Sequence, residues 1–507
     1  MMHRAVAGAA VILLLAAGSW SCGRERQERT GRGDQTEQAV DTGQAGRRTW
    51  GTYLGRDCSD EGFGLAVDAD GCVYVTGFTC SDDFPTTAGA LDRTFGGGTI
   101  DAFVLKIDPA GRKLIYSTLL GGSGPDRATG IAVDRTGRAV VTGRTQSDNF
   151  PVTAGAIDAT INGDYDLFAA RLDPSGRSLE YATFLGGRLF DNGAAIAVGA
   201  DGSAYVTGWT SSPDFPTTPG AFDRMLAGRR NKADAVAVKL DPSGRSLSYA
   251  TFLGGAESDW GQAIAVDNVG RAHIGLLTRS PDFPVTPDAF QTLFGGTTDA
   301  AAVKLDPFGS DLIYGSFLGG SAQDWALGIA VDGAGRAHLT GVTTSGDFPT
   351  AEGSYDTRHH GLQDIFVAAL DPRGRNLIYG NYLGGSEDEQ GTAIMAEGGR
   401  IYLTGSTRSA DFPVTPGAFQ ENHRGKADAF FAVMSDSGDT LVCSSLLGGT
   451  ADDVARALGP DGRGGIYVTG WTESTDLPVT AGAIDETHRG REDIFVFRID
   501  PAAMGPP

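Results

Sequence analysis

Residues 130–185 carry the reading that decides the fold. Gly130-Ile-Ala-Val-Asp134 and Ala139-Val-Val-Thr-Gly143 are short β-branched runs separated by a glycine turn, which is the pattern of two paired strands. A long polar loop follows, and then Leu167–Leu172 and Leu179–Leu185 flank Asp173-Pro174-Ser175-Gly176. Proline presets the first turn residue and glycine accepts a positive φ, so this run closes a hairpin. One unit therefore holds four strands in meander order.

Three signals of this unit recur seven times between residues 49 and 501. The first is a Leu-Gly pair ending an apolar strand, from Leu54-Gly55 to Leu447-Gly448. The second is Asp-Phe-Pro or a variant, centred on Phe84, Phe150, Phe215, Phe283, Phe348, Phe412 and Leu477, with successive copies 64 to 68 residues apart. The third is an apolar strand opened by an aspartate, from Asp101 to Asp493. A period near 65 is too long for a rung of a β-helix, whereas four strands arranged radially are the propeller plan. The expected fold is all-β: a seven-bladed β-propeller of four-stranded antiparallel blades. The array enters at a lone strand, Trp50 to Leu54, and leaves after Ile494 to Ile499. Pairing of these N-terminal and C-terminal strands should close the ring and remove a free edge.

Units such as IAVDNVGRAH at 264–273, AYVTGWTSSPDFPTTPGAF at 204–222 and DAVAVKLDPSGRSLSYATFLGG at 234–255 resemble the SBBP repeats of bacterial β-propellers. The resemblance covers 49 to 501 and implies an exported or surface protein, generally without an assigned activity. Asn149 in place of Asp, Leu477 in place of Phe and Ser435-Asp436-Ser437-Gly438 in place of Asp-Pro-x-Gly blur single blades without changing their number.

The N-terminus reads as a targeting signal. Arg4 is followed by an apolar stretch, Ala5 to Gly18, too short to span a bilayer, and then by Ser19-Trp20-Ser21-Cys22. A cysteine after such a core resembles a lipobox, which implies lipidation of Cys22 and anchoring by acyl chains. The alternative is ordinary signal-peptidase cleavage near Cys22. The expected organisation is a signal peptide at 1–22, a polar flexible tether at 23–48, the propeller at 49–501 and a tail at 502–507. The expected location is the bacterial cell envelope or surface, with the membrane touched only through the lipid anchor.

A formal charge of −22 repels phosphate backbones, so nucleic acid is not an expected partner. Cys58 and Cys80 lie in loops that the topology brings to one face, making a disulfide candidate in an oxidising compartment. Cys72 and Cys443 fall in strands and should be buried thiols.

Connections of a radial blade alternate between faces, so the loop entering the first strand shares a face with the loop of about twenty residues between strands two and three. That long-loop face is the expected binding surface, taking an unknown protein or glycan in a monomeric scaffold. The alternative is a propeller hydrolase or lyase with an axial site. No catalytic residue is assigned, since no Gly-x-Ser-x-Gly elbow or phosphate loop is evident. An enzyme would be favoured by blades that broke the repeat with unmatched polar residues, and the loops mostly repeat one another.

Two metal readings arise. His359, His423 and His488 hold equivalent positions in successive blades, yet metal ligands must converge to roughly 3 Å, which outer loops reach with difficulty. The acids that follow the Leu-Gly pair, Asp60, Asp126, Asp191, Asp259, Asp324 and Asp453, with Glu389 in the sixth blade, are calcium candidates. The competing expectation is that each fastens its own loop through backbone N–H groups. No cofactor is required.

Overall fold

A computed structural model describes residues 48–228 and 232–504. It contains seven four-stranded antiparallel sheets. The first blade runs through Asp60–Val67, Val73–Thr79, Asp101–Ile107 and Leu114–Leu120, and the next five repeat this order without interruption. The seventh joins Asp453–Pro460, Ile466–Thr472 and Asp493–Ile499 to Arg48–Leu54, which supplies its outermost strand. Trp50 pairs with Arg498, Thr52 with Val496 and Leu54 with Ile494. The ring is thus closed by its two ends, and the strand starts one residue ahead of the expected boundary.

The core is divided among seven apolar clusters, and each spans a joint between two blades. One unites Tyr74, Val104 and Tyr116 of the first blade with Phe150, Phe168 and Phe184 of the second. Another joins Trp50, Leu54 and Ile494 of the seventh blade to Val73, Leu105 and Phe84 of the first. The phenylalanine of Asp-Phe-Pro is a packing residue: Phe150 lies 4.7 Å from the Phe168 ring. Blades are also joined by hydrogen bonds, as where the Tyr74 hydroxyl donates to the Gly137 carbonyl at 3.0 Å and the Trp50 indole to the Pro109 carbonyl at 3.1 Å.

The hairpin glycine is required for two reasons at Gly176. Its φ of 69° is unfavourable for a residue with a Cβ. A Cβ there would also lie 2.4 Å from the Tyr116 ring of the preceding blade. The same glycine lets Tyr116 press against the neighbouring hairpin, so one residue serves both the turn and the joint.

Two expectations about the ends need comment. The chain does not trail away after 501: Pro501–Met504 forms a 3-10 turn that buries Met504 in the cluster holding Phe431 and Phe497. Most of the expected N-terminal organisation, including the signal peptide, Cys22 and residues 23–47 of the tether, lies outside the described residues. Cys58 and Cys80 form a disulfide with Cα atoms 5.5 Å apart, while Cys72 and Cys443 are buried thiols. No helix among the described residues is long and apolar enough to cross a membrane.

Candidate functional site

The three carboxylates that recur in each blade are consumed by the loops that carry them. Asp126 accepts the Gly122 N–H and the Ser147 hydroxyl, both at 2.7 Å. Asp299 accepts the N–H groups of Gly295 and Gly296 at 2.8 and 3.0 Å. In the Asp-Phe-Pro set, Asp347 accepts the Ser321 N–H at 2.8 Å and its hydroxyl at 2.9 Å. Asn149 keeps this bond by accepting the Ser123 N–H at 2.7 Å, which is how the second blade tolerates losing the acid.

Two of these acids meet at each joint, one opening a third strand and one opening the next blade's first strand. A Cβ on Gly121 would stand 2.8 Å from Asp126 and 3.1 Å from Asp101, and a Cβ on Gly319 would touch Asp299 and Asp324 in the same way. Burial pushes Asp60, Asp101, Asp191, Asp234 and Asp453 up to about 7, against the pull of their hydrogen bonds. Burial likewise pushes Asp166, Asp259 and Asp324 up to about 6.

The histidines are not gathered. His423 and His488 each face a carbonyl of their own blade, Thr407 at 3.3 Å and Thr472 at 3.1 Å, and His359 packs edge-on to Tyr382. Among the described residues no group of three or more His, Cys, Asp or Glu is placed to hold a metal ion. His338 fills a position that is tyrosine in other blades and bonds to the Tyr379 hydroxyl at 2.8 Å.

The residues that differ from blade to blade lie elsewhere, on the innermost strands. The first strands of successive blades stand side by side around the axis. Their second positions are Glu61, Arg127, Asn192, Trp260, Trp325, Gln390 and Val454. Every first strand then has a register shift that leaves its fourth residue unpaired. These seven bulges carry Phe63, Thr129, Ala194, Gln262, Leu327, Thr392 and Arg456. A bulge re-aims its side chain, and all seven are half-buried at the inner end of the blades. A third ring comes from the second strands, where Phe78, Arg144, Trp209 and Trp471 pair with the second positions of their own blades. These positions sit at the long-loop end of the strands and together make an axial mouth.

The mouth is two-sided. Blades seven, one and two contribute Arg456, Val454, Trp471, Glu61, Phe63, Phe78, Arg127 and Arg144. Across the axis, blades three to five contribute Trp209, Trp260, Leu277, Trp325 and Leu327. Four of the six tryptophans of the chain are in these rings. The Arg127 guanidinium lies 4.1 Å from the Phe63 centroid and 5.2 Å from that of Phe78, and Arg456 lies 5.6 Å from Phe63 on the other side. Arg144 covers Tyr165 and Phe190 at 5.2 and 5.5 Å, and Arg279 covers Trp260 at 5.3 Å. Enclosure by protein, with Arg144 and Arg456 nearby, pushes Arg127 down to about 10. Burial also lowers Arg144 and Arg456 and raises Glu61 against the pull of Arg127 and Arg456.

The sequence offers an axial site only as the enzyme alternative and assigns it no residue, because these positions are the columns of the repeat that do not recur. The signal was present as a variable position between the fixed first-strand aspartate and the fixed apolar residues that follow it.

The geometry defines a closed seven-bladed β-propeller with a chemically asymmetric axial mouth. Residues 115–151 and 312–349 match the SBBP β-propeller repeat. It is 27% identical over 461 residues to the regulatory protein FlaEY of Caulobacter vibrioides, which covers 82% of this chain and 44% of that protein. The chain thus spans less than half the length of that relative. Among solved structures it is similar to the WD40 repeats of RRP9, with a TM-score of 0.46, 7% identity and coverage of 89% of this chain and 99% of that one. It is also similar to BamB from Moraxella catarrhalis, with a TM-score of 0.37, 13% identity and the same two coverages.

Proposed function

We propose that this propeller is a binding module of the bacterial cell envelope, exported and tethered through a lipid on Cys22, with its ligand seat in the axial mouth of the long-loop face. The observation that carries the reading is the contrast between positions. Residues repeated in every blade are engaged in holding the blades and loops, while unmatched arginines and tryptophans are concentrated around the axis. Selection for the fold alone gives no reason to vary one ring so widely. The partner is a glycan or a segment of protein small enough to enter the mouth, and the scaffold is monomeric. The Caulobacter relative is a regulatory protein, which accords with a role in binding.

A hydrolase or lyase remains as a second reading because Glu61, raised by burial, stands among arginines in the mouth. Hydrolysis of a glycoside ordinarily uses two carboxyl groups across the scissile bond, and Glu61 has no second carboxyl in the two innermost rings to share that work. The buried acids of the blade joints are read as loop fasteners and not as calcium ligands.

Two measurements test the proposal. Mass spectrometry of the mature N-terminus should find a diacylated Cys22, and Cys22→Ser should release the protein from the membrane fraction; an unmodified mature N-terminus elsewhere contradicts tethering. Ligand binding should quench tryptophan fluorescence, since four indoles ring the mouth; a partner that binds without altering it is seated elsewhere.

A further inference from the structure

Resting on the reading of the axial mouth as the ligand seat, we propose that its arginine side holds the oxyanion of a small organic acid whose ring lies toward the tryptophan side.

The arginines are the first support. Among the described residues Arg127, Arg144 and Arg456 make no salt bridge, and their partners are aromatic rings. The Nε atoms of Arg127 and Arg456 are buried and have no hydrogen-bond partner within the protein. A buried guanidinium without an acceptor is costly, and a native fold keeps such groups where they serve a purpose. Stacking on Phe63 holds both guanidiniums, and a planar guanidinium presents its terminal N–H groups to carboxylate or phosphate oxygens.

Charge is the second support. The chain as a whole carries −22, yet the inner rings contain three arginines against Glu61. Burial depresses all three guanidiniums, joined at Arg127 by repulsion from Arg144 and Arg456, and a guanidinium stays charged in a protein, so a positive focus persists inside an acidic body. Low-dielectric walls strengthen the attraction of that focus for an anion.

The opposite wall defines the remainder of the ligand. In a ring of seven, blades four and five face blade one across the axis, so Trp260 and Trp325 face the arginine side. Both are half-buried, and the Trp325 indole N–H is buried without a partner in the protein. Indoles offer a flat apolar face with one donor, which suits a ring bearing an acceptor. An acidic sugar and an aromatic acid share this chemistry, as do carboxylate and phosphate.

The experiment is a titration of the full-length protein followed by tryptophan fluorescence and calorimetry. The probes are glucuronate, phenylacetate and phenyl phosphate, with glucose and phenylacetamide as neutral controls. At least one anion should quench and bind, its neutral counterpart should bind at least about tenfold more weakly, and Arg127→Gln or Arg456→Gln should each weaken the anion about tenfold. The preferred probe separates sugar from aromatic ring and carboxylate from phosphate. If acid and neutral control bind equally, or if both arginine variants bind the anion as the parent does, the oxyanion assignment is overturned while the mouth stands as a ligand seat. If no probe binds at concentrations up to about 10 mM, the oxyanion assignment is overturned, while the seat itself is tested separately by the fluorescence of a bound glycan or protein segment. The comparison of acid with neutral control uses the unmodified protein and does not depend on how the variants fold.

Discussion

Removing Arg48–Leu54 deletes the outermost strand of the seventh blade and reopens the ring. Trp50, Tyr53 and Leu54 are all but fully buried, and each large apolar side chain removed from a core costs about 2–5 kcal/mol. The Tyr53 hydroxyl also accepts the Leu477 N–H at 2.8 Å and donates to the Ser474 carbonyl at 3.0 Å, bonds worth roughly 1 kcal/mol each. The Trp50 bond to Pro109 reaches the first blade, so the loss weakens two joints. The total, on the order of 8–17 kcal/mol, matches or exceeds the whole stability of an ordinary domain. The truncation also bares the edge of Asp493–Ile499, whose neighbouring apolar side chains invite pairing with other chains. Circular dichroism melting and light scattering should therefore show loss of the cooperative transition, or a midpoint lower by more than about 15 °C, together with aggregation. A chain beginning at residue 46 serves as control. A truncated protein that melts within a few degrees of that control refutes closure by the N-terminal strand as the source of ring stability.

Three further outcomes follow from the blade joints. Gly176→Ala should lower stability by about 2–4 kcal/mol, because it adds backbone strain at a positive φ to a collision with Tyr116; a denaturant midpoint unchanged from the parent would sink the joint-packing account. The buried acids have folded pKa values near 6 to 7 and unfolded values near 3.8, so the folded state holds protons that the unfolded state has released between about pH 4 and 7. Their ionisation opposes folding, and the melting temperature should fall as pH rises from 5 to 8; a melting temperature that climbs over this interval contradicts their burial as acids. Millimolar calcium and excess chelator should give the same melting temperature, whereas a rise with calcium would assign the joint carboxylates to a cation.

The fold was legible because propeller geometry writes itself into turns and strand ends. Asp173-Pro174-Ser175-Gly176 shows in its letters why the chain reverses, and the unpaired strands at Trp50 and Ile499 show why it must close. The loop acids were legible as turn fasteners for the same reason, since Asp126 acts on residues a few positions away. The mouth was not legible. Arg127 and Arg456 are 329 positions apart in a chain whose other repeats separate them, and only the ring places both against Phe63. The bulge that re-aims Phe63 and Arg456 leaves no distinctive residue in the sequence, because its seven occupants share no chemistry. Even Met504 escaped notice, for a short run after Asp500-Pro501 has no periodicity to show that its last side chain is buried.

On the proposed reading, the unmatched axial residues are present for a ligand and not for the fold. The measurement that tests it most directly is the melting temperature of a variant carrying Arg127→Gln, Trp260→Phe, Trp325→Phe and Arg456→Gln together. Removing unpaired buried charges relieves repulsion and desolvation, so this variant should melt at or slightly above the parent temperature. A fall of more than about 5 °C would mean that the mouth residues hold the propeller together, and the account of the mouth as a ligand seat would be wrong.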